Sequence, residues 1–171
     1  MMYVILVVTV LLLSMGLAGL SFAPWVPARK KDFKRIFALA DLKPGEIFYD
    51  LGCGDGRMVF YAAKNHDAKA IGLEIALPMY AFCRLKQLLA RSMNVQFKFK
   101  NLFNEDLSRA DVVYFFGMPE KIKNKLAEKL IKEMKPGSKI VSYAFHVPGL
   151  SPVAVDKPTE KDISIYCYAM K

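Results

Sequence analysis

Hydrophobic positions along this chain follow two rhythms. Residues 3–22 form one apolar block without a charged side chain. From about residue 34 onward, apolar positions come in short clusters separated by polar turns. Twenty helical residues rise about 30 Å, the thickness of a bilayer's hydrocarbon core, so the first block reads as one membrane-crossing helix. Residues 34–42 read as a short helix stopped by Lys43-Pro44-Gly45. A strand is expected at 47–50, followed by a helix to about 65. A second strand at 70–74 precedes a helix that opens at Pro78 and carries Leu85, Leu88 and Leu89 to about Ser92. Val95-Gln96-Phe97-Lys98-Phe99 alternates apolar and polar, as a half-covered edge strand does. Residues 112–116 are apolar throughout and predict a buried strand. Pro119 opens a helix with Ile122, Leu126, Leu130 and Ile131 along one face, and Lys135-Pro136-Gly137 ends it. Residues 140–144, 153–155 and 163–169 complete the set as three short strands.

Repeated strand-helix alternation predicts an α/β fold with a parallel sheet covered on both faces. The last two strands have no helix between them, so they predict an antiparallel hairpin at one edge. The chain therefore divides into a transmembrane anchor at 1–23, a basic juxtamembrane segment with a short helix at 24–45, and an α/β domain at 46–171.

Two other readings of the first block are weaker. A cleaved signal peptide would need a basic start, and no Lys or Arg precedes the run, which is also long for such a segment. Its best small-residue site, Ser21-Phe22-Ala23, is followed by Pro24. A buried core helix would need a polar face toward water, and none is visible. The flank orients the anchor. Arg29, Lys30, Lys31, Lys34 and Arg35 follow it with Asp32 as the opposing charge, which places the domain on the cytoplasmic side or its organellar equivalent. Trp25 is expected at headgroup level.

The formal net charge of +9 arises after the anchor, partly from that cluster and partly from residues 120–135. Anionic lipid headgroups are its expected partner. Nucleic acid is disfavoured, because no RNA-recognition aromatics, zinc spacing or helix-turn-helix pattern accompanies the charge. The 3 cysteines are scattered and suit neither a disulfide framework nor a metal site, so no metal is expected.

The chemistry concentrates at Asp50-Leu51-Gly52-Cys53-Gly54-Asp55-Gly56-Arg57, where the first strand hands over to a helix. Glycines at alternate positions let the backbone turn sharply and let a ligand press against it. A dinucleotide fold would show G-x-G-x-x-G with a pyrophosphate on the helix N-terminus. Here the spacing is G-x-G-x-G behind a fixed acid, which suits a ligand bearing an ammonium group, and S-adenosylmethionine is such a ligand. Glu74 ends the second strand roughly twenty residues on, where α/β nucleotide folds place a carboxylate for ribose hydroxyls. Asp50, Gly52, Cys53, Gly54, Gly56 and Glu74 are therefore the expected cofactor contacts. Cys53 reads as a small residue in a tight loop rather than a nucleophile.

These residues carry a resemblance. Five strand-helix units and a closing hairpin are similar to the Rossmann-like, seven-stranded plan of class I S-adenosylmethionine-dependent methyltransferases. More narrowly, the chain resembles the membrane-anchored protein-lysine methyltransferases of the adenine nucleotide translocase and the ATP synthase c subunit, with their prokaryotic relatives. The resemblance runs from about residue 24 to 152. It rests on Pro24-Trp25-Val26-Pro27, the glycine motif, Gly72-Leu73-Glu74, the helix ending at Lys135, and Pro136-Gly137-Ser138-Lys139-Ile140-Val141-Ser142. It implies a membrane-protein substrate and adenine contacts at Asn101 and Leu102. Asn101 stands where many such enzymes carry Asp, and its carbonyl oxygen still accepts a hydrogen bond. Ala28 replaces a hydroxyl residue favoured in the family, which weakens substrate inferences from that segment.

A lysine nucleophile has an ordinary pKa near 10.4 and must lose its proton to attack. An apolar, aromatic channel lowers that pKa. Tyr114 and Phe116, at the end of the fourth strand, are the candidate residues for this role, against a reading of Tyr114 and Phe115 as plain core. His66 is expected at the surface. His146 follows the fifth strand on the ligand-binding edge, where a structural role is favoured over that of a base. Methylation of a lipid or small molecule, and catalytically silent cofactor binding, remain open alternatives. Nothing in the sequence fixes an oligomeric state.

Overall fold

The computed structural model describes residues 1–90 and 94–171. Strands β1 (Ile47–Leu51), β2 (Lys69–Glu74), β3 (Val95–Phe99), β4 (Val112–Phe115), β5 (Lys139–Tyr143), β6 (Ala154–Asp156) and β7 (Ile165–Ala169) form one sheet. Their order is β3-β2-β1-β4-β5-β7-β6. The first five strands are parallel, and β7 runs antiparallel between β5 and β6. The expected sheet and its closing hairpin are both present.

Side chains sort by strand parity into two cores. Val112 and Tyr114 of β4 face one core, together with helices α2 (Phe33–Ala40), α3 (Arg57–His66) and α4 (Leu77–Ala90). Val113 and Phe115 face the other, against Ile122, Leu126 and Leu130. A strand covered on both faces has no polar alternation to show, which is why this segment reads as continuously apolar. Edge strand β3 keeps its alternation, with Gln96 exposed between buried Val95 and Phe97.

The helix opening at Pro119 is not uniform. It runs as α5 (Pro119–Lys121), a π-helical turn (Ile122–Leu126) and α6 (Ala127–Glu133). Strand β4 stops at Phe115, so Phe116 lies just past it. The expected helix end at Ser92 lies outside the described residues.

Helix α1 (Met2–Ser21) has no buried side chain. Its C-terminal half nevertheless touches the domain, since Leu11, Ser14, Ala18 and Ser21 are half-buried along one side. Ser14 Oγ accepts a hydrogen bond from Leu77 N at 2.7 Å, satisfying a backbone donor at the start of α4.

The basic cluster after α1 is only partly free to meet lipid. Arg35 pairs with Asp32, Asp156 and the Ile163 carbonyl, and Lys31 pairs with Asp162 at 2.7 Å. Asp32, 1% exposed, also accepts from the Tyr143 hydroxyl at 2.6 Å. These bonds tie α2 to the hairpin and leave Arg29, Lys30 and Lys34 as the exposed members with no salt bridge among the described residues.

Candidate functional site

Strand order reverses direction at β1, whose neighbours β2 and β4 are reached by crossovers on opposite faces. A crevice opens beyond the C-terminal ends of such strands. The glycine turn fills its floor. Gly52, Gly54 and Gly56 have φ of +81°, +53° and +74°, a region that strains any residue with a Cβ. The amides of Gly52 and Cys53 donate to the Leu73 carbonyl at 3.0 and 2.9 Å, binding the turn to β2.

Glu74 does more than end a strand. One carboxylate oxygen accepts from Gly54 N at 2.8 Å, and the other accepts from Ile75 N and Ala76 N at 2.8 and 2.7 Å. It therefore braces the glycine turn from β2. A carboxylate has about four acceptor sites, so one remains for a hydroxyl.

Asp50 is 3% exposed and lies in register with Gly72 of β2 and Tyr114 of β4. Burial, then the negative charges of Glu74 and Asp55, pushes its carboxyl well above the usual range. Among the described residues no cation pairs with it. The Tyr114 hydroxyl, on a residue 2% exposed, has no hydrogen-bond partner among the described residues. Burial, and then Asp50, raises its pKa well above that of a free phenol. Both groups line the same cavity, with Gly54, Glu74, Asn101 and Phe116. Two buried polar groups thus face one cavity, where a ligand's hydrogen-bonding groups would satisfy them.

Cys53 lines this cavity too, but a hydrogen bond with Cys83 and burial push its thiol well upward, so it stays neutral. The Asn101 side-chain oxygen accepts from Phe103 N at 3.0 Å, capping the short turn Leu102–Asn104. A second lone pair on that oxygen remains. Leu102 is buried in the α6-side core and also lines the cavity. The Phe116 ring meets Tyr143 edge-on at 5.0 Å and stacks with Phe145 at 6.3 Å. His146 is exposed, with Tyr166 and Tyr168 at its edges, and does not line the cavity. His66 is half-buried and stacks on Phe37 at 4.8 Å, packing that the polar turn around it concealed. Among the described residues no cluster of His, Cys, Asp and Glu is arranged to hold a metal.

The cavity has a roof that the strand and motif pattern did not reveal. After α1 the chain folds back over the glycine turn. Phe22, 6% exposed, sets its ring edge-on to Phe103 and Phe115 at 6.3 Å each, and its carbonyl accepts from Met118 N at 3.4 Å. A Cβ on Gly54 would lie 2.5 Å from the Trp25 indole. Trp25, 49% exposed, therefore rests one edge of its indole on the cradle and leaves the rest open. Arg57, gripping Asp55 with two nitrogens, also donates to the Ala28 carbonyl at 3.3 Å and holds the far end of the segment. The available signal was a tryptophan between prolines in a short linker.

An acid-led glycine cradle, a second acid at the end of β2 and this strand order define a class I S-adenosylmethionine-dependent methyltransferase. The uncompensated Asp50 and the side-chain-free cradle fit a cofactor with an ammonium group. The model of the ANTKMT methyltransferase domain family matches residues 50–154, and the chain belongs to that family. A protein-lysine N-methyltransferase of Saccharolobus islandicus (strain REY15A) is 33% identical over 156 residues, covering 86% of this chain and 93% of the relative. The adenine nucleotide translocase lysine N-methyltransferase of Mus musculus is 32% identical over 133 residues, covering 77% of this chain and 57% of the relative. A crystal structure described as an RNA methyltransferase from Salinibacter ruber, in complex with S-adenosyl-L-homocysteine, superposes with a TM-score of 0.79. It is 32% identical, and the match covers 85% of this chain and 94% of that one.

Proposed function

We propose that this methyltransferase acts on the side-chain amine of a lysine in a membrane protein, with its domain beside the cytoplasmic face of the bilayer. The observation that carries the amine reading is the buried Tyr114 hydroxyl, without a hydrogen-bond partner among the described residues, in the wall of a cavity that Phe22, Trp25 and Phe116 also line. A phenol oxygen there can accept a hydrogen bond from an incoming amine and orient its lone pair. The protein-lysine relative matched over 93% of its length supports lysine over other amines.

Each residue then has a distinct task. Asp50, once ionised, holds the methionyl ammonium directly or through a water. Gly52, Cys53, Gly54 and Gly56 form a cradle close enough for backbone contact. Glu74 offers its remaining lone pair to a ribose hydroxyl. Asn101 and Leu102 flank the adenine. When bound, the cofactor supplies a methyl carbon made electrophilic by a sulfonium sulfur. Tyr114 and Phe116 would hold the amine facing that carbon, the hydroxyl orienting it and the ring excluding water. Their low-polarity surroundings disfavour the protonated lysine, so the amine enters as the free base.

The membrane part rests on α1, a 20-residue apolar helix without a charged residue and with nothing buried. Its exposed basic flank, Arg29, Lys30 and Lys34, favours the cytoplasmic side and anionic headgroups.

Full-length protein incubated with methyl-tritiated cofactor and native membranes tests the whole reading. Label should enter protein and elute as methyllysine after acid hydrolysis. Label in the organic phase would establish a lipid or small-molecule substrate. Label in added RNA, the substrate class named for the Salinibacter relative, would overturn the lysine assignment.

A further inference from the structure

Helix α4 is inverted relative to a water-facing helix. Its only buried residue is Cys83. Leu77, Phe82, Leu85, Leu88 and Leu89 are 37%, 49%, 56%, 69% and 76% exposed, and Ala81 is exposed among them. At about 100° per residue these six side chains form one continuous stripe, roughly 140° wide. Arg84 borders it on one side and Lys86 on the other. Lys86 donates to the Asp55 carbonyl at 3.0 Å and lies 5.3 Å from the Phe82 ring centre, so its stem covers the edge of the stripe. An outward apolar face between basic residues is the pattern of a helix lying in a membrane interface.

We infer that α4 lies in the leaflet that α1 enters, its outward stripe among the headgroups and first methylenes. The inference rests on the membrane reading of α1 and deepens it. Helix length decides the point. The half-buried side of α1 begins at Leu11, and Ser14 bonds to Leu77 at the start of α4. Residues 2–10 therefore stand clear of the protein, and nine helical residues rise only about 14 Å, half a hydrocarbon core. A domain held wholly in water would leave the span too short. Sinking the start of α4 into the leaflet carries the outer side of α1 beyond Leu11 into lipid as well, while Met15, Ala18 and Gly19 keep their inner side on the cavity. The same movement wets none of the α4 stripe and sets residues 22–28, the cavity roof, at the membrane surface. The target lysine is thus one that lies at headgroup depth.

Depth measurements on full-length protein in vesicles of phosphatidylcholine and phosphatidylglycerol test this. The native cysteines, Cys53, Cys83 and Cys167, are buried, so a spin label attaches to an introduced one. Labels are placed by Leu6→Cys in α1, Leu85→Cys and Leu89→Cys in α4, and Lys132→Cys on the opposite face of the sheet. Retained cofactor affinity verifies that each variant is folded. Labels at 6, 85 and 89 should relax with dissolved oxygen, and the label at 132 with an aqueous nickel chelate. A lipid-exposed label at 6 with water-exposed labels at 85 and 89 would overturn the placement of α4 and leave the anchor intact. Water exposure at 6 as well would overturn both. Labels at 85 shielded from both agents and broadened by a second copy would replace lipid with self-association. In addition, Leu85→Glu/Leu89→Glu should reduce methyl transfer to membrane-embedded substrate at least tenfold while cofactor affinity stays unchanged.

Discussion

Asp50 and Tyr114 are register partners across β1 and β4 and line one cavity, where no salt bridge reaches Asp50 and no hydrogen bond reaches the Tyr114 hydroxyl among the described residues. Together they make the floor of the site polar at the point where the sheet is otherwise apolar.

Asp50→Asn should separate binding from stability. A buried carboxyl with a raised pKa takes up protons in the folded state that the unfolded chain does not hold. Stability of the cofactor-free protein is therefore greatest below the ordinary Asp value and is lost as pH rises through the folded one. At neutral pH the substitution should raise the melting temperature, by about 2–4 °C for each kcal/mol gained. Cofactor affinity should fall at least tenfold. Calorimetry from pH 5 to 8 should show the native protein binding more tightly as pH rises, and the variant losing that dependence.

Tyr114→Phe removes a buried hydroxyl that has no partner among the described residues. Thermal stability should hold or improve slightly, because an unsatisfied buried group is deleted. Turnover should fall by about one order of magnitude with cofactor affinity unchanged, about 1.4 kcal/mol of transition-state stabilisation. Steady-state kinetics beside cofactor titration checks the pair.

Gly54→Val strains the turn at φ +53° and drives a side chain into the Trp25 indole. Cofactor affinity measured by calorimetry should drop at least a hundredfold. Unchanged affinity would sink the assignment of the glycine turn.

Arg35→Met leaves Asp32 buried with the Tyr143 hydroxyl alone. Stranding one member of a buried pair is destabilising by about 3–5 kcal/mol. A melting curve should show a large downward shift, whereas cofactor affinity at low temperature, measured below the transition, should be retained because Arg35 does not line the cavity.

Membranes carrying the full-length chain, washed with alkaline carbonate, should keep it in the pellet. A mature N-terminus at Pro24 in soluble protein would instead establish cleavage of the first segment.

The sheet was legible because local rules and tertiary packing agree. Alternating apolar residues in β3 and continuous ones in β4 report how many faces each strand buries. The glycine turn was legible because an acid followed by alternate glycines serves few other purposes. What stayed hidden depends on contacts without sequence period. Phe22 reads as the last residue of an apolar run, yet it is wedged beside Phe103 and Phe115. Arg35 reads as one more surface cation, yet Asp156, 121 residues away, claims it. Glu74 was legible as an acid at a strand end, but its grip on three backbone amides depends on how the turn folds back. The π-helical turn at Ile122–Leu126 leaves the apolar face continuous and so gives no signal in periodicity.

Gly117 and Phe22 constrain each other's history. A Cβ at Gly117 would meet three carbons of the Phe22 ring. Neither position can drift alone: Gly117→Ala is tolerated only beside a smaller residue at 22, and Phe22→Val opens a hole that Gly117→Ala partly refills. Descendants of this chain should therefore change the two sites as a pair, and the double substitution should recover more stability than the sum of its parts.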